Sequence, residues 1–173
     1  SLIASPNGFL NQGAKVMVLV NEESYDRVAM RYVNASTGMS EDQIYANPVL
    51  TAERYNEVTE HLYIKDVTGT TMDRVEGYIK GYRPDIVVLD IGDKFAAKGD
   101  RSDIVLKDNA IHARNIAKQY DCAIIYMSQL SAVAENVVNV DMSMLEGSKT
   151  GKAAETDLMI LISANRKDYD GDE

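Results

Sequence analysis

Acidic, amide and basic side chains recur in this sequence at one kind of place, just after a short apolar run. Glu22 and Glu23 follow "VMVLV" (Val16–Val20), and Asp90 closes "DIVVLDI" (Asp85–Ile91) with Asp93 close behind. Ser128 and Gln129 follow "CAIIYM" (Cys122–Met127), and Arg166 follows "LMILI" (Leu158–Ile162). A carboxylate to hold a metal's water shell, a second to activate water, an amide to sense a phosphate and a cation are what a Mg-nucleotide site requires. Each residue also has a plainer role. An Asp at a strand end is a common turn or cap, and Glu22 suits the first turn of a following helix. The argument rests on the set, one member per run.

The runs themselves supply the positioning. None alternates apolar with polar, and continuous Val/Ile-rich stretches of this length fit strands buried on both faces. "HLYIKDV" (His61–Val67) is a more mixed fifth candidate, nearer an edge. Helical patterns lie between: Ser24 to Thr37 with Ser24 as N-cap, a segment after Leu50 capped by Thr51, "TTMDRVEGYIKGY" ended by Gly81 and Pro84, and Ser102 to Tyr120. His112, on the last of these, reads as a half-buried helix residue. Strand–helix alternation predicts an α/β fold with an open, mostly parallel sheet, whose ligands bind beyond the carboxyl ends of the strands.

A second stretch invites a phosphate reading. "EGSKTGKAAETD" (Glu146–Asp157) holds Gly147, Lys149, Gly151 and Lys152. It fails as a P-loop, G-x-x-x-x-G-K-[ST]: the spacing is one residue short, and Ala153 stands where a hydroxyl would meet magnesium. "NQGAKV" lacks the first glycine and the final hydroxyl. The pattern occurs nowhere in the chain.

Composition narrows the remaining classes. The chain has 173 residues, 45% of them hydrophobic and 26% charged, which suits one domain with its own core. One cysteine, Cys122, rules out an internal disulfide framework and suggests a reducing, intracellular setting; with two histidines it also disfavours a zinc site. No run is long enough for a membrane span. The net charge of −9 argues against a general polyanion binder, although basic loops can act locally, and the acidic "DYDGDE" end reads as solvated.

In order and content the chain resembles the RecA-like motor domain of DnaB-type hexameric replicative helicases and phage primase-helicases. "VMVLVNEESYDRVAMRYVNASTG" looks like the catalytic-glutamate segment; registered on Ala29–Arg31 it puts Glu22 at that position and Glu23 on a usually apolar neighbour. "PDIVVLDIGDKF" resembles the Walker B strand, with Asp90 as its acid. "AIIYMSQLSAVAE" resembles the sensor strand ending in Gln129, and "LEGSKTGKAAETDLMILI" the last helicase segment, which faces DNA.

The resemblance implies a RecA-like three-layer sandwich over residues 1–173, with Glu22 and Gln129 catalytic and Asp90 holding Mg through water. It implies that Arg166 contacts the nucleotide, and that Lys94, Lys98, Arg101, Gly147, Lys149, Gly151 and Lys152 lie on single-stranded DNA. ATP and Mg would be the parent's ligands, neither bound tightly by this chain, and the parent would be a cytoplasmic, bacterial or phage, homo-hexamer. Two family parts are missing, the P-loop and the arginine-finger strand, so the chain reads as a motor trimmed at both ends and inactive alone. Without the P-loop strand, "CAIIYM" and "LMILI" are expected to pair directly or to associate through an open edge. Other readings are a recombinase- or clock-type RecA-like ATPase, a degenerate interaction domain, and a metabolic α/β enzyme using Asp90 and Glu22.

Overall fold

The computed structural model describes residues 2–95, 102–135, 137–146 and 149–163; at 57, 58, 102, 103, 149 and 150 only the backbone is described. The chain builds four strands, β1 (Val16–Val20), β2 (Leu62–Asp66), β3 (Ile86–Asp90) and β4 (Ala123–Tyr126). They form one parallel sheet in the order β2-β1-β3-β4. The helices are α1 (Tyr25–Thr37), α2 (Glu41–Ala46), α3 (Pro48–Thr59), α4 (Met72–Tyr82), α5 (Ser102–Tyr120) and α6 (Lys149–Ala154).

Strands β1 and β3 are central, and their apolar runs serve both faces of the sheet. Met17, Leu19, Val87 and Leu89 point to one side and pack with Val75 and Ile79 of α4 and Ala113 and Ile116 of α5. Val16, Val18, Val20, Ile86 and Val88 point to the other and pack with Val28 of α1 and with Ile3, Ala4 and Leu10. The result is three layers, helix, sheet, helix, as continuous apolar strands require. Burying each such aliphatic side chain contributes roughly 1.5–3 kcal/mol, so the two faces of β1 and β3 carry most of the fold.

Local signals set the helix ends. Ser24 is extended as the N-cap of α1, and Gly38 closes that helix in the left-handed region at φ 69°, its N–H reaching Asn34 O. Helix α2 starts at a reciprocal capping box between Ser40 and Gln43. The helix expected to be capped by Thr51 starts earlier, with Pro48 in its first turn. Thr51 lies inside it, and its hydroxyl donates to Asn47 O at 2.9 Å.

One predicted strand does not form. Residues 158–162, "LMILI", are without regular structure, and Leu158, Ile160 and Ile162 are exposed. The segment does not pair with β4, which ends the sheet with Ala123 exposed and Ile124 to Tyr126 half-buried. Its composition is that of a buried strand, but a strand needs a neighbour to supply its hydrogen bonds, and among the described residues none lies beside it. No described helix is long and apolar enough to cross a membrane.

Candidate functional site

The connection after β1 leads through α1 to α3 toward β2, whereas that after β3 leads through α5 toward β4. The chain therefore diverges at the carboxyl ends of β1 and β3, the place where open α/β sheets leave a crevice for ligands. Glu22, Glu23 and Asp90 sit there.

The two strand ends are fastened by Asn21. Its backbone N–H donates to Asp90 O at 2.9 Å. Its side-chain amide accepts from Ile91 N–H at 2.8 Å and donates to Ile91 O at 2.9 Å. Asn21 is buried, so this clasp satisfies backbone groups that would otherwise be stranded just past the end of β3. The Asp90–Ile91 peptide within it is cis.

Three carboxylates share the crevice. Burial raises the pKa of Asp90 above its ordinary value, and the negative charges of Glu23 and Glu22 raise it further against the opposing Arg31. The same charge, added to burial, pushes the Tyr32 hydroxyl on α1 up to about 12. Arg31 Nη2 donates to Glu23 Oε1 at 2.7 Å. Lys94 Nζ donates to Glu22 Oε1 at 2.5 Å, and Gln129 Nε2 approaches the same oxygen at 3.4 Å. The excess negative charge at Asp90 is what a divalent cation would relieve. No described group of three or more acidic, His or Cys side chains is arranged as a complete metal cage. One carboxylate with water and phosphate completing the shell is the usual Mg arrangement, and Asp90 fits it.

The structure therefore brings together Glu22, Asp90 and Gln129, as the sequence predicts, and adds Glu23 to them. Lys94, expected on a DNA-facing loop, is tied to Glu22 instead. Lys152, expected on DNA, is a correction: its side chain is only 5% exposed and its ammonium donates to Asp93 Oδ2 at 2.7 Å, Ser128 Oγ at 2.8 Å and Glu146 O at 2.8 Å. With all three protons placed inside the protein it offers none to a phosphate. Gly151 is another correction, since it belongs to α6 and not to an open loop. Lys149 begins that helix, and its side chain lies outside the described residues, as do Lys98, Arg101, Gly147 and Arg166.

Two residues that sequence reasoning passed over complete the picture. Asn21 carries no signal beyond being polar directly after a buried run. Gly92 does carry one, as a glycine two residues past the strand-end acid. A Cβ there would lie 2.5 and 2.6 Å from Cε2 and Cε1 of the Tyr126 ring and closer still to Cζ, so only glycine lets the loop pack against that ring.

This architecture has solved counterparts. The chain superposes on the ATPase domain of a DnaB-like helicase with a TM-score of 0.74 at 16% identity, covering 85% of this chain and 58% of that one. The fold is RecA-like. A second match is a structure described as a DnaB-like replicative helicase and its interactions with primase, with a TM-score of 0.64, 16% identity, and 75% of this chain against 35% of that one. This RecA-like chain thus spans little more than half of the first counterpart and about a third of the second. No protein-family model matches the sequence, and no curated protein matches it.

Proposed function

We propose that the chain is the hydrolysis side of a nucleoside-triphosphate-driven DNA helicase motor of the DnaB type. The observation that carries this reading is the convergence of Glu22, Asp90 and Gln129 at the divergence point of a RecA-like sheet. In this reading Asp90 holds Mg through its water shell, and the bound ion supplies charge neutralisation to the phosphates. Glu22 orients and polarises the attacking water, and Gln129, in hydrogen-bond reach of Glu22, reports the state of the terminal phosphate. Lys94 is the resting partner of Glu22 and must release it before that carboxylate can act on water.

The phosphate-cradling half of such a site has no counterpart in this sequence, so the proposal assigns hydrolysis to a larger assembly and weak nucleotide binding to this chain. A hexamer acting on single-stranded DNA belongs to the same proposal. Within it Lys149, Lys98 and Arg101 are the candidate phosphate contacts, Gly147 lets the backbone approach, and Arg166 is the candidate nucleotide contact.

Paramagnetic relaxation tests the metal half directly. Mn²⁺ added with ATP is expected to broaden the resonances of Asn21 to Glu23, Asp90 to Asp93 and Gln129, and Asp90→Asn is expected to abolish the effect. Broadening centred elsewhere, or none at millimolar Mn²⁺, overturns the reading. The second result would favour a non-enzymatic interaction domain, a reading supported by the engagement of Glu22 with Lys94.

A further inference from the structure

The buried cluster around Lys152 lies outside the proposed chemistry, yet it touches every segment that supplies it. Asp93 follows β3, Ser128 follows β4, and Glu146 and Lys152 come from the segment that leads into and forms α6. Asp93 accepts from Ser128 Oγ at 2.6 Å, Lys152 Nζ at 2.7 Å and Tyr126 Oη at 3.1 Å, and its side chain is 11% exposed. Backbone bonds run in parallel with these: Gly92 N–H to Met127 O at 2.8 Å, Glu146 N–H to Gln129 O at 3.2 Å and Ser131 N–H to Met144 O at 2.8 Å.

A buried ion pair is by itself weak evidence of function, because an apolar replacement often serves stability as well. Two further observations give this one a direction. First, the segment it anchors has little apolar core of its own. Met127, Val133, Val138 and Met142 are exposed, and within residues 127–146 Leu145 is the one buried hydrophobic side chain among the described residues. Hydrophobic packing cannot fix where this segment sits, so the polar contacts must. Second, the cluster is one residue from each group that touches Glu22. Lys94 follows Asp93, and Gln129 follows Ser128.

We propose that Lys152 is a positioning residue, a latch joining the loops after β3 and β4 to α6 so that Lys94 and Gln129 meet Glu22. Its functional meaning rests on the hydrolytic reading of Glu22 and Gln129, but the geometry it asserts does not. When the latch opens, the two loops lose their common anchor and both neighbours leave the Glu22 carboxylate. Movement of α6, the helix that begins at Lys149, is thereby transmitted to the crevice through one ammonium group.

The test uses the full 173-residue chain, isotopically labelled and without nucleotide or metal, so that failure of the hydrolytic reading leaves it intact. Lys152→Met is expected to shift the Glu22 Cδ resonance and the Gln129 side-chain amide. It is also expected to raise hydrogen exchange at Leu130 and Leu145 by about tenfold or more, because local opening no longer has to break a buried ion pair. The amides of β1 and β3 are expected to stay where they are, and Lys152→Arg to restore part of the Glu22 shift. Unmoved Glu22 and Gln129 signals in a folded Lys152→Met protein overturn the proposal and leave the pair purely structural. Should Lys152→Met not fold, the Asp93→Asn/Lys152→Met double variant strands no charge and is read by the same two signals.

Discussion

Gly92→Ala is the sharpest test of how the crevice is built. An ordinary carbon–carbon contact is about 3.5–4.0 Å, whereas the added methyl would stand 2.5 and 2.6 Å from two carbons of the Tyr126 ring. The shortfall is therefore about 1 Å, and something must move by that amount. If the ring withdraws, its hydroxyl loses Asp93 Oδ1, 3.1 Å away, and its packing against the core on that face of the sheet loosens. If the loop withdraws, the 2.8 Å bond from Gly92 N–H to Met127 O is lost. A hydrogen bond is worth about 1 kcal/mol net and overpacking about 1–3 kcal/mol, so either route costs roughly 2–4 kcal/mol. Urea denaturation measures it: with a slope near 2 kcal/mol/M, the midpoint is expected to fall by about 1–2 M. In a Tyr126→Leu background, which is itself destabilised, the same substitution is expected to cost less than about 0.5 kcal/mol, since the obstructing ring is gone. An equal penalty in both backgrounds, or less than about 1 kcal/mol in the parent, would refute the packing argument.

Four other expectations follow from the same geometry. Asp90→Asn should stabilise the chain near neutral pH. Its folded-state pKa is raised, so ionised Asp90 opposes folding above that value, and the gain in melting temperature should shrink as pH falls toward the ordinary aspartate range. Glu76 behaves oppositely. The Tyr120 hydroxyl, donating at 2.9 Å, and then His112 hold its pKa down, so its contribution is present at neutral pH and lost as pH falls below the ordinary glutamate range. Tyr120→Phe should flatten that acid-side slope in pH-dependent thermal melts. Asn21→Ala should cost about 2–4 kcal/mol in chemical denaturation, because it strands both the N–H and the C=O of Ile91. Ile160→Ser should change stability by less than about 0.5 kcal/mol yet reduce aggregation on concentration, since Ile160 is 68% exposed.

What could be read from the sequence depended on whether a signal was local. "VMVLV" and "DIVVLDI" announce central strands because a side chain apolar on both faces needs cover on both, and their last residues mark the crevice without further information. The start of α2 was equally local, spelled by Ser40 and Gln43, though so short a helix shows little periodicity. "LMILI" has the same composition as the true strands and is not one, because strand formation depends on a neighbour that composition does not specify. Lys152 could be seen as a cation near glycines. Its burial depends on Asp93, 59 residues away, and on Ser128, 24 residues away, pairings that no spacing rule contains. Asn21 was silent for the same reason, its partner Ile91 lying 70 residues on.

That separation has a kinetic consequence. Contacts that close long loops repay their entropy only after the elements between them are in place. The ammonium of Lys152 can find Asp93 and Ser128 together only once β4 has docked beside β3, so the cluster belongs to the final stage of folding and the earliest stage of unfolding. Substitutions there should quicken unfolding while leaving the refolding rate nearly unchanged. The sheet is then a scaffold that persists while its catalytic edge is assembled and dismantled upon it.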